Sequence, residues 1–280
     1  MISKRIKIVA DSSADLFSLS SVDFESAPLK IITADKEYVD DESLNVRAMV
    51  AELGEYSGKS STSCPNAGDW LSTFGDAEEI YCVTITATLS GSYNAAMLAK
   101  QTYEEQYPDR RVFVLNTLTA GPEIALIIEK IEELILAGKD FDFICKAVTK
   151  YALKTKLLFM LESMKNLANN GRVSPLVAKM AGLLGIRVVG KASDRGDLEP
   201  LSKCRGEKKA LETIVQHMKA LGFAGGRIRI AHCFNENAAN ELSTLLKNEF
   251  KNAQIKLYNC KALCSFYAEK GGLLIGFETL

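Results

Sequence analysis

The sequence predicts an α/β protein: an N-terminal three-layer α/β/α domain on a mainly parallel sheet, then a C-terminal α+β domain with a mixed sheet. Three observations carry this. Short β-branched runs alternate with helix-length amphipathic stretches through about residue 155, the pattern of a parallel sheet covered on both faces. The alternation resumes afterwards with a hairpin signal inside it, the turn Asp194-Arg195-Gly196-Asp197. A length of 280 residues suits two ordinary domains, which we divide near residue 160, as 1–160 and 161–280.

IKIVAD reads as a buried strand, because Ile6, Ile8 and Val9 suit a pleated core. Asp11, Ser12 and Ser13 then turn the chain and are placed to cap the next element. Leu29 to Ile32 form a second apolar run that pairs as a hairpin with Tyr38 and Val39. Val46, Met49, Val50 and Leu53 have helical spacing, with Gly54 as the stop. KSSTSCPNAGDWLSTFGD reads as a polar loop, turned at Pro65 and Gly68, with Asp69, Trp70, Leu71 and Phe74 suggesting a short helix after the turns. EEIYCVTI is the next strand, GSYNAAMLAKQTYEEQY a helix and RRVFVLNT a strand. A long helix from Pro122 to Ala137 ends at Gly138, and DFDFICKAVTKYALKT is a further amphipathic helix.

KLLFML is a strand candidate, and NLANNGRVSP a turn-rich break. LVAKMAGLLG reads as a helix, with strands after it on either side of the Asp194–Asp197 turn. GEKKALETIVQHMKALG and ENAANELSTLLKNEF are helices around the strand GRIRIAHCF. QIKLYNCKA and GLLIGFE close the chain as strands.

Hydrophobic residues at 47% and charged residues at 25% are the balance of a soluble globular protein. A net charge of -1 argues against a nucleic-acid partner, since phosphate neutralisation needs a basic surface. No stretch approaches the length of a membrane span. The apolar run at the N-terminus is too short for a signal peptide. The seven cysteines include no Cys-x-x-Cys pair, and Cys260 and Cys264 lack a second pair and a nearby His. Reduced thiols in a cytoplasmic protein are therefore expected, without a metal site.

In an open parallel sheet, ligands bind at the carboxyl ends of the strands. Three loops at such ends are rich in hydroxyls: Asp11–Ser13, Ser60–Ser63 and Thr86–Ser92. The third opens a helix, whose first turn leaves backbone N–H groups unpartnered and carries the positive end of the dipole. Ser90 could add an O–H donor there and Gly91 close approach, which suits a carboxylate or phosphate. Equally, Ser90 or Ser92 could serve only as an N-cap. Known catalytic patterns are missing. TLSGS is not a nucleophile elbow, and neither a Walker loop nor a G-x-G-x-x-G run occurs. Of the two histidines, His217 reads as a helix surface or boundary residue and His232 as a satisfied structural one.

Five segments in order, KIVADSSADL, TSCPNAGDW, TLSGSYNAA, NNGRVSPLVAKMAGLLGIRVV and GDLEPLSKCRGEKKAL, resemble the DegV family nearly end to end. These are bacterial fatty-acid-binding proteins that present a bound acyl chain to a separate fatty-acid kinase. The resemblance implies a two-domain fold with a fatty acid in an apolar tunnel between the domains, and no cofactor besides that ligand. Carried over by motif, Thr62 and Ser90 become carboxylate partners, flanked by Ser63 and Gly91. Arg172 and Arg205 match two motif arginines, expected at the pocket mouth or on the surface that meets the kinase and its phosphate. The alternatives are a fork tying down loop carbonyls for Arg172 and a solvated hairpin charge for Arg205. Met180, Leu183 and Leu184 are candidates for the tunnel lining or for ordinary core. The sequence departs from the family pattern at FYAEKGG, where Tyr267 stands in place of a carboxylate-site His. Other departures are Asn116-Thr117 for Asp-Ser, Ala120-Gly121-Pro122-Glu123 for a Gly-rich run, and Cys64 for Gln.

The expected function is therefore that of a carrier rather than an enzyme. Each buried methylene is worth roughly 0.8 kcal/mol, so a long tail sets affinity while the head group sets orientation. The alternative is an enzyme or a sensor acting on a smaller acidic or phosphorylated ligand in the same cleft.

Overall fold

A computed structural model describes residues 4–181 and 184–279. The chain runs through β1 (Ile6–Asp11), β2 (Asp23–Ala27), β3 (Lys30–Ile32), β4 (Glu37–Val39), α1 (Val46–Glu55), β5 (Ser61–Ser63) and α2 (Ala67–Phe74). It continues through β6 (Glu79–Thr84), α3 (Ser92–Gln106), β7 (Arg111–Asn116), α4 (Pro122–Leu136) and α5 (Phe141–Ala152). The remainder comprises β8 (Thr155–Leu161), α6 (Lys165–Asn169), α7 (Pro175–Ala178), β9 (Ile186–Ala192), β10 (Leu198–Arg205) and α8 (Glu207–Ala220). It ends with β11 (Gly226–His232), α9 (Glu236–Glu249), β12 (Ala253–Asn259), α10 (Ala262–Ala268) and β13 (Leu273–Glu278).

The strands β2-β1-β6-β7 form a fully parallel sheet, as the sequence predicts. Its side chains alternate between two cores, in keeping with the two-residue period of a strand. Val9, Ile80 and Cys82 pack with Trp70 and Phe74 of α2 and with Ala96 and Tyr103 of α3. Ile8, Tyr81 and Val83 face the other way, onto Ile124 and Ile128 of α4 and Ile144 of α5. The second sheet, β10-β9-β8-β13-β11-β12, is mixed, with antiparallel and parallel pairs. One of its faces is closed by α8 and α9, through Leu211, Ile214, Leu242 and Leu246.

Helix α4 joins the two sheets. It contacts β1 and β6 of the parallel sheet and β8, β11 and β13 of the mixed one. Ile124 to Ile128 are all buried, because a helix covered on opposite sides must be apolar nearly all round.

Several local expectations change. The polar loop before α2 contains β5, an edge of the small antiparallel sheet β4-β3-β5. Helix α1 runs through Gly54 to Glu55, since one glycine costs only about 1 kcal/mol in a helix packed on its neighbours. Of the helix expected over LVAKMAGLLG, the described residues form α7, Pro175–Ala178. Strand β2 and helices α6 and α10 have no counterpart in the sequence reading. Strand β8 begins at Thr155, ahead of residue 160, and pairs with β9 and β13.

Glu123 in the first turn of α4 is buried and accepts a hydrogen bond from Thr155 Oγ1 at 2.8 Å. Burial lifts its carboxyl from 4.5 to about 7. The folded chain thus holds this proton more tightly than the unfolded chain. The resulting stability is complete below about 4.5 and is lost as pH rises through about 7. Glu123→Gln carries no such titration. Its stability relative to the unaltered protein should improve by about 1–3 kcal/mol between about pH 5 and about pH 8, read by urea unfolding; a pH-independent difference would count against the burial argument.

Candidate functional site

A cavity of about 290 Å³ lies where the carboxyl edge of the parallel sheet meets the open face of the mixed sheet. Most of its wall is apolar, with Leu157, Phe159 and Leu161 of β8, Leu198 of β10, Leu263 of α10 and Leu274 of β13. Thr62, Ser63, Ser90, Gly91, Arg172 and Tyr267 all border it. Arg205 does not; it is exposed at the end of β10, opposite Ile186. Of the anticipated tunnel residues, neither Met180 nor Leu184 borders it. Met180 packs into the neighbouring core, and Leu184 is fully exposed at 104%. Leu183 lies outside the described residues. The lining comes from β8 instead, whose odd-numbered residues share the cavity face while Leu158 and Met160 face α8 and α9.

The Ser90 corner is held from below. Asp11, at the end of β1, is fully buried. Its Oδ2 accepts from Ser92 Oγ at 2.6 Å and from the Ile85 backbone N–H at 3.0 Å. Its Oδ1 accepts from Ser13 Oγ. Burial raises this carboxyl's pKa, and the two serine hydroxyls and the Ile85 amide oppose that rise. Ser92 is therefore consumed by Asp11 and caps nothing. The N-cap of α3 is Gly91, without a side-chain cap. Ser90 Oγ accepts the Ser92 N–H at 3.3 Å and borders the cavity, so it caps locally and still faces the ligand space. Thr86 and Thr88 bond each other at 2.9 Å. Thr88 Oγ1 also donates to the Gly196 carbonyl at 2.8 Å, so these hydroxyls dock the β9–β10 hairpin tip.

Tyr267 reaches the site on α10. Its hydroxyl lies 2.7 Å from Thr62 Oγ1. Burial raises the phenol's pKa, so Tyr267 stays neutral and can donate. The start of α10 is satisfied by two buried carboxylates from far along the chain. Asp15 Oδ1 accepts from the Lys261 N–H at 2.8 Å. Asp40 accepts from the Ala262 and Leu263 N–H groups at 2.9 and 3.0 Å. Burial lifts Asp15 to about 8 and Asp40 to about 6. At the other end, Asn166 Nδ2 donates to the Phe266 carbonyl at 2.8 Å.

Arg172 Nε donates to the Leu89 carbonyl at 3.1 Å, and its Nη1 donates to the Asn170 carbonyl. The guanidinium thus ties down the residue preceding Ser90. It is also the only charged group among the described residues that border the cavity. His217 bonds Ser202 Oγ at 2.9 Å. His232 is buried, as a structural residue would be, but its Nδ1 finds no partner among the described residues. Neither histidine borders the cavity. All seven cysteines are free, and among the described residues no group of three or more His, Cys, Asp or Glu could hold a metal. No helix of the described residues is long and apolar enough to cross a membrane.

Neutral hydroxyls and one guanidinium at one end, and aliphatic walls beyond, are the chemistry of a site for an acid with a long apolar tail. The chain belongs to the DegV family: residues 5–279 match the family described as "Uncharacterised protein, DegV family". A DegV domain-containing protein of Streptococcus pneumoniae (strain ATCC BAA-255 / R6) is 44% identical over 97% of this chain and 98% of its own. The Streptococcus pneumoniae Fatty Acid Kinase (Fak) B3 protein, solved loaded with linoleic acid, is similar at a TM-score of 0.97 and 44% identity, over 98% of this chain and 99% of that one. A DegV family protein from Eubacterium eligens, loaded with heptadecanoic acid, gives a TM-score of 0.96 at 40% identity, over 98% and 100%.

Asp40→Ala would leave the Ala262 and Leu263 amides without their acceptor in a buried place. The expected cost is about 2–4 kcal/mol in urea unfolding, against about 1 kcal/mol for Tyr267→Phe, which removes one partly buried hydroxyl pair. Equal costs would mean that Asp40 is not what holds α10.

Proposed function

We propose that this protein is a carrier for a long-chain fatty acid, with the tail in the apolar cavity and the carboxylate at the Thr62–Ser90–Tyr267 end. The observation that supports it best is the cavity itself: walled by leucines, polar at one end, and built on a fold shared with proteins solved with linoleic and heptadecanoic acids. On this reading the cavity lies between two domains, and the division falls between α5 and β8, because β8 is a strand of the mixed sheet.

The carrier offers the carboxylate to a partner fatty-acid kinase in the cytoplasm, and the kinase performs the phosphoryl transfer. The name of the Streptococcus pneumoniae Fatty Acid Kinase (Fak) B3 protein supports such a partner. On this reading Arg172, which donates to two loop carbonyls and borders the cavity, meets the transferred phosphate, and exposed Arg205 faces the kinase. Ser63 and Gly91 shape the polar end. The protein contributes binding and orientation, and its affinity rests on the tail at roughly 0.8 kcal/mol per buried methylene.

Native mass spectrometry of the purified protein, with organic extraction afterwards, tests this directly. One long-chain acid per chain is expected. Ser90→Ala and Thr62→Ala should each weaken retention by about ten- to a hundredfold, the worth of a hydrogen bond to a charged group. A protein that stays empty after incubation with fatty acids would overturn the carrier reading; unchanged retention in both variants would overturn the head-group assignment.

A further inference from the structure

The registers of the mixed sheet place Pro200, Gly190, Phe159, Leu274, Ala231 and Tyr258 side by side in one row across all six strands. Residues directly opposite in an antiparallel pair carry their side chains on the same face. Phe159 and Leu274 border the cavity, so the row runs along the cavity wall. At Gly190 the wall has no side chain. A Cβ built there would lie 2.2 Å from Phe159 Cζ and 2.6 Å from Cε2. The phenyl ring therefore fills the space that a side chain at position 190 would take, lying over β9.

The φ of Gly190 is not positive, so its own conformation is open to other residues; what would crowd a side chain there is the Phe159 ring and the Glu199 carbonyl. What its missing Cβ provides is room for a ring. Phe159 is itself only 1% exposed and packs against Leu161, Val188 and Leu167. The opposite face of the sheet is closed by α8 and α9. A ring pushed off β9 meets packed side chains in every direction except one, the cavity.

We infer that Gly190 is a specificity-determining residue, which sets through the Phe159 ring how long an acyl tail the cavity accepts. The inference rests on the carrier reading. A side chain at 190 displaces the ring into the tail's space and disfavours longer acids. Removing the ring opens that space and cancels the effect of any small side chain at 190.

The test loads the unaltered protein, Gly190→Ala, Phe159→Ala and the double variant with an equimolar mixture of myristate, palmitate and stearate, then extracts and quantifies the bound acids. Gly190→Ala should lower the bound stearate-to-myristate ratio by about tenfold, the low end of what a methylene's worth of pocket space discriminates. Phe159→Ala should raise it, and the double variant should match Phe159→Ala, since no ring remains to be pushed. The Gly190 Cβ would also come within 2.7 Å of the Glu199 carbonyl, so Gly190→Ala could fail to fold. Phe159→Ala, which keeps Gly190, then decides alone: a raised ratio supports the inference, while a ratio equal to that of the unaltered protein overturns it. A folded Gly190→Ala with an unchanged ratio, or a double variant displaced from Phe159→Ala, likewise overturns it. If the unaltered protein retains none of the acids, the carrier reading falls and this inference falls with it.

Discussion

Asp40 accepts from two successive amides at the start of α10, and Asp15 accepts from the one before them. These contacts decide where the polar end of the cavity is. Four residues of α10 border the cavity, namely Leu263, Cys264, Tyr267 and Ala268. A helix of seven residues has too few internal hydrogen bonds to stand alone. Its position is set from outside: by carboxylates on its first amides, by Asn166 on one of its last carbonyls, and by Met49 and Ile31 packed against Phe266. Asp11 does the same work at α3 through Ser92. Two of the hydroxyl groups at the ligand end are thus held by carboxylates that never touch the ligand space.

Burial of these carboxylates is costly, and the structure shows how the cost is offset. Asp11 and Asp40 each accept two or more well-placed hydrogen bonds, and those from the helix amides to Asp40 gain from the dipole. The raised pKa values of Asp15 and Asp40 record what desolvation still outweighs. A frame of this kind is rigid because its parts are unequal to any replacement. Water cannot reach the amides, and a neutral side chain of similar size offers fewer acceptors.

The parallel sheet was legible from the sequence because its strands and helices are continuous patterns: all of EIYCVT is buried, and so is every residue of α4 from Pro122 to Ile128. That Thr62 and Ser90 border the cavity matches the motif resemblance rather than the count of hydroxyls, for Ser92 is taken by Asp11 and Thr88 by the hairpin tip, uses that the sequence alone does not separate from ligand binding. Helix α10 was not legible. Lys261 at its N-cap makes no side-chain cap, and its true caps sit at positions 15 and 40. No local signal announces a cap supplied from more than two hundred residues away. The cavity lining was missed for a related reason. KLLFML reads as a strand, but which face of it meets a ligand depends on what α8 and α9 cover, and that is decided only when the sheet assembles. LVAKMAGLLG reads as a better wall by hydrophobicity alone, yet Met180 and Leu184 do not border the cavity.

The polar end is built mainly from neutral donors, and on the carrier reading this matters, because the ligand is then to be handed on. The Thr62 and Tyr267 hydroxyls already bond each other, so a carboxylate finds them preoriented rather than free to turn. Charge-assisted bonds from cations are roughly twice as strong as those between neutral groups. A site lined by lysines would hold the carboxylate tightly and draw electron density from the oxygen that must attack a phosphorus atom. Here the one guanidinium in the lining spends two of its donors on the Leu89 and Asn170 carbonyls. On the carrier reading, retention then falls to the tail, which the apolar wall can hold by area alone, and the head group is left bound, oriented and still nucleophilic. Tyr267 fits the same logic: its phenol, kept neutral by burial, can donate a hydrogen bond, whereas an imidazole in its place would change its charge near neutrality.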